Sequence, residues 1–160
     1  MLATLPVEEV RVGIADLGMG RGPQGSVVTH ALGSCIGVFA WHPVTKLGAC
    51  LHYMLPKNPG EGTPYKYADS GIPLLIRSVV QSRREARKLR IVATGGANMQ
   101  RDVELFRIGK RNIAALRALM WRHGLVLAAE DLGGCSPRTA RLDLSNGQVT
   151  VQSGSQTLVL

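Results

Sequence analysis

Aromatic side chains make up only 4% of the 160 residues. None interleaves with the basic stretch between Arg77 and Arg90, so the stacking platform of a single-strand binder is missing and no nucleic-acid partner is expected. Cysteine is scarce: the three residues, at 35, 50 and 135, are odd in number and too few for a disulfide scaffold, which predicts reduced thiols. No apolar run approaches the ~18–20 residues of a membrane span, so no membrane insertion is expected. The first nine residues lack the basic stretch of a secretory signal and carry acids early, which predicts a cytoplasmic address. Gly95-Gly96-Ala97 fits neither the dinucleotide fingerprint nor the P-loop, which argues against a nucleotide cofactor. Internal repeats, low-complexity tracts and interdomain linkers are also missing.

What remains is the composition of one globular domain spanning residues 1–160, with 45% apolar and 19% charged residues. The net charge is 19 − 11 = +8. The excess is local, because Arg77, Arg83, Arg84, Arg87, Lys88 and Arg90 face the single acid Glu85 in that stretch. Such a run is either a solvated helix end or a docking surface for an acidic partner.

The hydrophobic pattern predicts more strands than helices. Val10–Ile14, Ser26–His30, residues 36–41, residues 47–54, Leu89–Ala93 and Leu125–Ala129 read as strands, and Leu17–Gly25 and Lys57–Thr63 as loops, the second a lid beside His52. Ile72, Leu75, Ile76, Val79 and Val80 form a core-facing helix stripe that Asp69 or Ser70 can cap, with Pro73 in its first turn. A second helix is predicted over Lys110–His123, stopping at Gly124. Arg138–Leu144 and Gln148–Gln152 form a hairpin around Asn146-Gly147. The class is therefore α+β with mixed or antiparallel sheets.

Chemistry concentrates in Thr29-His-Ala-Leu-Gly-Ser-Cys35 and His52. A turn centred between Pro43 and Val44 sets Cys35 opposite His52, where cross-strand Cβ atoms lie roughly 4.5–5.5 Å apart. A thiol and an imidazole so placed are a nucleophile and its base. Gly33 and Ser34 free backbone N–H groups that lower the thiol pKa and form an oxyanion hole, and Thr29 on the preceding strand orients the imidazole. The blander reading is a buried structural cysteine. A metal reading gathers Cys35, Cys50 and His52 with His30 or Cys135, at spacings that fit no standard zinc pattern, so no metal is expected. His42 and His123 read as structural.

These residues resemble the CheD family of chemoreceptor glutamine deamidases. The match runs from about residue 10 to 151: Val12-Gly13, Ala15-Asp16, the Leu-Gly-Ser-Cys35 step, Gly48 with His52 and Leu55-Pro56, Tyr67-Ala68-Asp69, Gly95-Gly96-Ala97, Ile108-Gly109 with Arg111-Asn112, Asp131 with Gly133-Gly134, and Arg138. The resemblance implies a single-domain α/β sandwich with flanking helices, related to the catalytic domain of the cytotoxic necrotizing factor toxins. It implies a cofactor-free cysteine hydrolase that converts glutamines of methyl-accepting chemoreceptors to glutamates through a thioester, with Cys35, His52 and Thr29 as catalytic residues. In many species such proteins also bind CheC, so the competing expectation is a regulatory module that docks CheC or receptors with little catalysis. Arg83, Arg84 and Arg87 are then candidates for docking the acidic receptor. The chain departs from the family in Val92-Ala93-Thr94, where a phenylalanine commonly precedes the glycines, and in Cys50, whose place on the His52 face raises an oxidative disulfide with Cys35 as a further expectation.

Overall fold

The computed structural model describes residues 8–99 and 103–160, with the backbone alone for 103–106. Two five-stranded sheets lie face to face. One carries, in spatial order, β1 (Glu9–Val12), β3 (Ser26–Leu32), β8 (Arg138–Asp143), β9 (Val149–Ser153) and β10 (Gln156–Val159). The other carries β2 (Asp16–Gly20), β5 (Gly48–Tyr53), β4 (Ile36–Trp41), β6 (Arg90–Gly95) and β7 (Ala129–Leu132). Both sheets are mixed, since β1 pairs parallel with β3 and β6 parallel with β7 while the remaining pairs are antiparallel.

The second sheet is the middle layer. Every residue of β4 and β5 is buried, as the continuous apolar runs Ile-Gly-Val-Phe-Ala-Trp and Gly-Ala-Cys-Leu-His-Tyr require of strands covered on both faces. Ile36, Val38, Ala40, Leu51 and Tyr53 join a core with Ile72, Leu75, Leu116 and Met120 of the helices α1 (Ala68–Val79) and α3 (Val103–Arg122). Phe39, Trp41 and Cys50 point the other way, into an apolar seam with Val27, Leu142 and Val151 of the first sheet. Strand alternation thus sends His52 to the seam and its neighbour Tyr53 to the helices.

The α+β class, the hairpin at Asn146-Gly147 and the helix stop at Gly124 (φ +65°) stand as expected. Several local readings are corrected. The glycine-rich stretch after Leu17, expected as a loop, contains β2, whose order comes from a backbone ladder with β5 rather than from strand-forming side chains. The strand expected at Leu125–Ala129 begins only at Ala129, because Leu125 packs under the helices while Val126 is exposed. Helix α3 begins seven residues earlier than Lys110, and β10 was not foreseen. Helix α1 is capped by Tyr67 without a side-chain bond, and Pro73 lies inside it rather than in its first turn. Asp69 and Ser70 have another use: Asn58 N–H donates to Asp69 Oδ1 (2.9 Å) and its side-chain amide to Ser70 Oγ (3.2 Å). The segment expected as a lid is therefore tied at Asn58 to the first turn of α1.

Candidate active site

Thr29, Cys35 and His52 come from three consecutive strands or their ends, and the register decides how they meet. Ile36 pairs with Tyr53 and Gly37 with His52, so the next rung would set Cys35 against Met54. The expected direct opposition of Cys35 and His52 is off by two residues. The cause is the turn chemistry of His42, whose Nδ1 accepts from the N–H groups of Val44 (3.1 Å) and Thr45 (3.3 Å). With Lys46 in the left-handed region (φ +57°), the loop recentres between Val44 and Thr45. A two-residue shift preserves the face of every side chain, whereas a shift of one would have reversed it. Cys35 is left diagonal to His52, and diagonal strand neighbours lie about 7–8 Å apart between Cα atoms.

Opposite His52, Gly37 contributes no side chain. A Cβ there would stand 3.3 Å from Thr29 Cγ2 and 3.2 Å from Leu32 Cδ1. Thr29 crosses from the first sheet into this space. Its hydroxyl lies 2.8 Å from the Val12 carbonyl and 2.7 Å from His52 Nδ1. A hydroxyl has one hydrogen. Because the carbonyl can only accept, that hydrogen goes to Val12, and Thr29 must accept from an Nδ1–H. The tautomer follows from this bond: Nε2 carries the free lone pair. That nitrogen is buried and meets no hydrogen-bond partner. Burial holds the imidazole pKa down at about 4, from the ordinary 6.5, so the ring is neutral near pH 7. The Cys35 thiol pKa, expected to be lowered, is instead pushed up by burial, which outweighs a smaller opposing contribution from its own backbone N–H. The resting pair is a neutral thiol and a neutral imidazole, not an ion pair.

The loop that carries Cys35 is held by its carbonyls. After a bulge between Thr29 and Leu32, with Ala31 at φ +58°, the chain bends through Gly33, Ser34 and Cys35. Gly33 O accepts from Ala97 N–H (2.8 Å), Cys35 O from Gly96 N–H (2.8 Å) and Ser34 O from the Asn112 side-chain amide (3.0 Å). The Gly95-Gly96 pair serves this close approach: Gly95 sits at φ +115°, and a Cβ on it would come within 2.3 Å of Cys35 O.

Asn112, Asn98 and Arg138 had no assigned role in the sequence, although Asn112 and Arg138 were among the residues carrying the resemblance. Arg138, cross-strand from Leu32, donates from Nε to Asp131 (2.9 Å) and from Nη2 to the Gly133 carbonyl. It borders a cavity of about 570 Å³ shared with Asp131, Gly134, Cys135, Val151 and Leu158. Their signal was polarity at positions the fold buries, which only the three-dimensional structure reveals.

Other predicted site residues are not brought together. Arg83, Arg84 and Arg87 are exposed on and just after the short helix α2 (Arg83–Ala86). They lie beyond the Arg90 end of β6, whereas Cys35 neighbours its Gly95 end, six residues and roughly 17–20 Å along the strand. Cys50 is opposite Phe39, four residues from Cys35 along the hairpin, or roughly 13 Å. The expected disulfide is overturned, because bridged cysteines need Cα atoms within about 7 Å. Among the described residues no three or more His, Cys, Asp or Glu side chains gather to hold a metal ion. No described helix is long and apolar enough to cross a membrane.

A family model described as CheD chemotactic sensory transduction matches residues 54–153. That segment begins two residues after His52, but full-length relatives extend across the whole site. A protein of Solibacter usitatus named probable chemoreceptor glutamine deamidase CheD is 40% identical over 155 residues, 94% of this chain and 92% of its own length. A similarly named protein of Anaeromyxobacter dehalogenans is 39% identical over 94% of this chain and 98% of its own. One from Pyrococcus horikoshii is 36% identical over 96% and 98%. A solved Neisseria meningitidis structure of family DUF152 overlays with a TM-score of 0.48 at 8% identity, covering 80% of this chain and 63% of that one.

Proposed function

The chain belongs to the CheD family, and from that premise we propose that it is a cysteine-dependent protein-glutamine deamidase acting in the cytoplasm on chemoreceptors. The observation that carries this reading is the Thr29–His52 bond. It leaves Nε2 as a buried, unprotonated base on the face of the sheet from which Cys35 projects.

The starting pair is neutral, so the proton moves as substrate arrives rather than beforehand. His52 Nε2 takes the Cys35 proton while the sulfur attacks the γ-carboxamide carbon, forming a C–S bond. The carbonyl oxygen becomes an oxyanion facing the N–H groups of Ser34 and Cys35, with Gly33 permitting the bend. A donor so placed is worth on the order of 10²–10³ in rate. Thr29 stabilises the imidazolium through Nδ1–H. The Nε2 proton then passes to the nitrogen, the C–N bond breaks and ammonia leaves, giving a thioester on Cys35. His52, neutral again, removes a proton from water. The hydroxide adds to the thioester carbonyl, the C–S bond breaks and the sulfur recovers a proton. One amide and one water become one carboxylic acid and one ammonia, with no cofactor.

The CheC partnership, and the relation of the sandwich to the cytotoxic necrotizing factor catalytic domain, rest on the family resemblance and belong to the same proposal. The test is mass spectrometry of receptor cytoplasmic fragments incubated with wild-type or Cys35→Ala protein, with ammonia release in parallel. Wild type is expected to produce the glutamine-to-glutamate gain of about 1 Da that hydrolysis of an acyl-enzyme leaves, and Cys35→Ala none. Equal conversion by both would sink the assignment.

A further inference from the structure

We propose that Asn112 is a positioning residue that sets the approach of the Cys35 thiol to the His52 base; the inference deepens the deamidase reading and rests on it. The β4–β5 ladder has its last rung at Ile36 and Tyr53. Beyond it the chain bends at Cys35, and no regular pair joins the nucleophile loop to the segment following His52. Asn112 fills that place from α3. Its amide nitrogen carries two hydrogens, one for Ser34 O at 3.0 Å and one for Met54 O at 2.8 Å. Its own backbone carbonyl accepts from the Tyr53 hydroxyl at 2.7 Å. One wholly buried residue thus grips Ser34, which precedes the thiol, and Tyr53 and Met54, which follow the imidazole.

The helix can come this close because Gly109, one turn before Asn112, meets the Gly96–Ala97 backbone; a Cβ there would lie 2.7 Å from Ala97 O. The chemistry needs a double donor. Two carbonyl oxygens converge on Nδ2, so an amide satisfies both, whereas a carboxylate of the same shape would set a negative oxygen against them. His52 Nε2 has no hydrogen-bond partner at rest, so proton transfer requires the thiol to close the remaining gap. Two backbone segments held by one amide fix how large that gap is.

Asn112→Asp and the smaller single-donor Asn112→Ser test this, with Trp41→Phe as a comparator. Trp41→Phe removes another buried bond, from Nε1 to Leu144 O (2.9 Å), far from the site. Four quantities are measured in folded protein: kcat and KM on a receptor fragment, the rate of Cys35 alkylation by iodoacetamide at pH 8, and Tm. Expected for Asn112→Asp is a kcat at least tenfold lower with KM within threefold, and a smaller fall for Asn112→Ser. Alkylation of Cys35 should rise at least threefold as the loop loosens and its thiol is less buried. Trp41→Phe should lower Tm and leave both readouts within twofold. Turnover and alkylation in both Asn112 variants within twofold of wild type overturn the proposal. So does alkylation that stays within twofold while turnover falls, since that is a loss of stability or substrate fit. Alkylation needs no substrate: wild type that releases no ammonia defeats the deamidase reading, while the tether is still judged by thiol reactivity.

Discussion

The two ends of the middle sheet solve opposite problems with the same strands. At the Trp41–Arg90 end, polar groups are paired. Trp41 Nε1 donates to Leu144 O at 2.9 Å, Arg90 Nη1 to Gly147 O at 3.1 Å, and Glu85 takes both His42 (3.2 Å) and Lys88 (2.7 Å). At the Cys35–Gly95 end they are left over. His52 Nε2, Asn98 Oδ1, Asn112 Oδ1 and Arg138 Nη1 are the buried side-chain atoms without a partner among the described residues, and all four belong to that end. Native proteins rarely strand buried polar atoms, so their concentration at one end marks where the fold has kept hydrogen-bonding capacity in reserve. Charge is present at both ends, in Glu85 and Lys88 at the quiet one and in the Arg138–Asp131 pair and Asp16 opposite His52 at the reactive one, but the Cys35 thiol and the His52 imidazole are themselves neutral.

Breaking the reactive end should have the largest effect. Thr29→Val removes the acceptor that fixes the His52 tautomer, and roughly a hundredfold loss of kcat is expected, less than the ~10⁴ seen when a charged orienting group is neutralised. Thr29→Ser keeps the hydroxyl and should retain most activity. A larger loss in Thr29→Ser than in Thr29→Val, measured by ammonia release, would mean that the methyl group matters rather than the bond.

The buried neutral imidazole also makes stability depend on pH. In the unfolded chain His52 protonates near 6.5 and in the folded protein near 4. Its contribution is intact above about 6.5 and is lost as pH falls toward 4, because only the unfolded state gains the proton. The loss amounts to about 3 kcal/mol at most. Denaturant titrations at pH 7 and pH 4.5 should show this slope, and His52→Phe should flatten it. A slope that persists in His52→Phe would assign it to other groups.

The quiet end should respond least. Reversing Arg83, Arg84 and Arg87 to Glu is expected to lower kcat/KM on an intact receptor fragment by less than about tenfold. The effect should fade with added salt and be missing for a short glutamine peptide, as for charges that steer encounter. A loss of the same size on the short peptide would bring these arginines into the chemistry and erase the contrast between the ends.

Much of the reactive end was legible in the sequence, and its failures have physical causes. Strand alternation and a single turn singled out Thr29, Cys35 and His52 as candidates. The predicted register was wrong by two because an imidazole acting as a turn cap cannot be read from a Pro-containing loop, but even-numbered slips keep faces intact, so the partners survived the error. Strand β2 was missed because its Gly18 and Gly20 offer no strand signal of their own and take their order from β5. Asn112 stayed without a role because its worth depends on two carbonyls 78 and 58 residues away in the chain. For Arg83 and its neighbours the charge was visible, but not the end of the sheet on which it would fall.

The most direct measurement is acid-quench mass spectrometry of the protein during turnover of a glutamine-containing receptor peptide. A covalent adduct of the peptide mass less about 17 Da, the ammonia lost on thioester formation, is expected on Cys35, cleavable by hydroxylamine and missing in Cys35→Ala. Conversion of the glutamine with no adduct on Cys35 under conditions that trap thioesters, or an adduct mapped to Cys50 or Cys135, would contradict it.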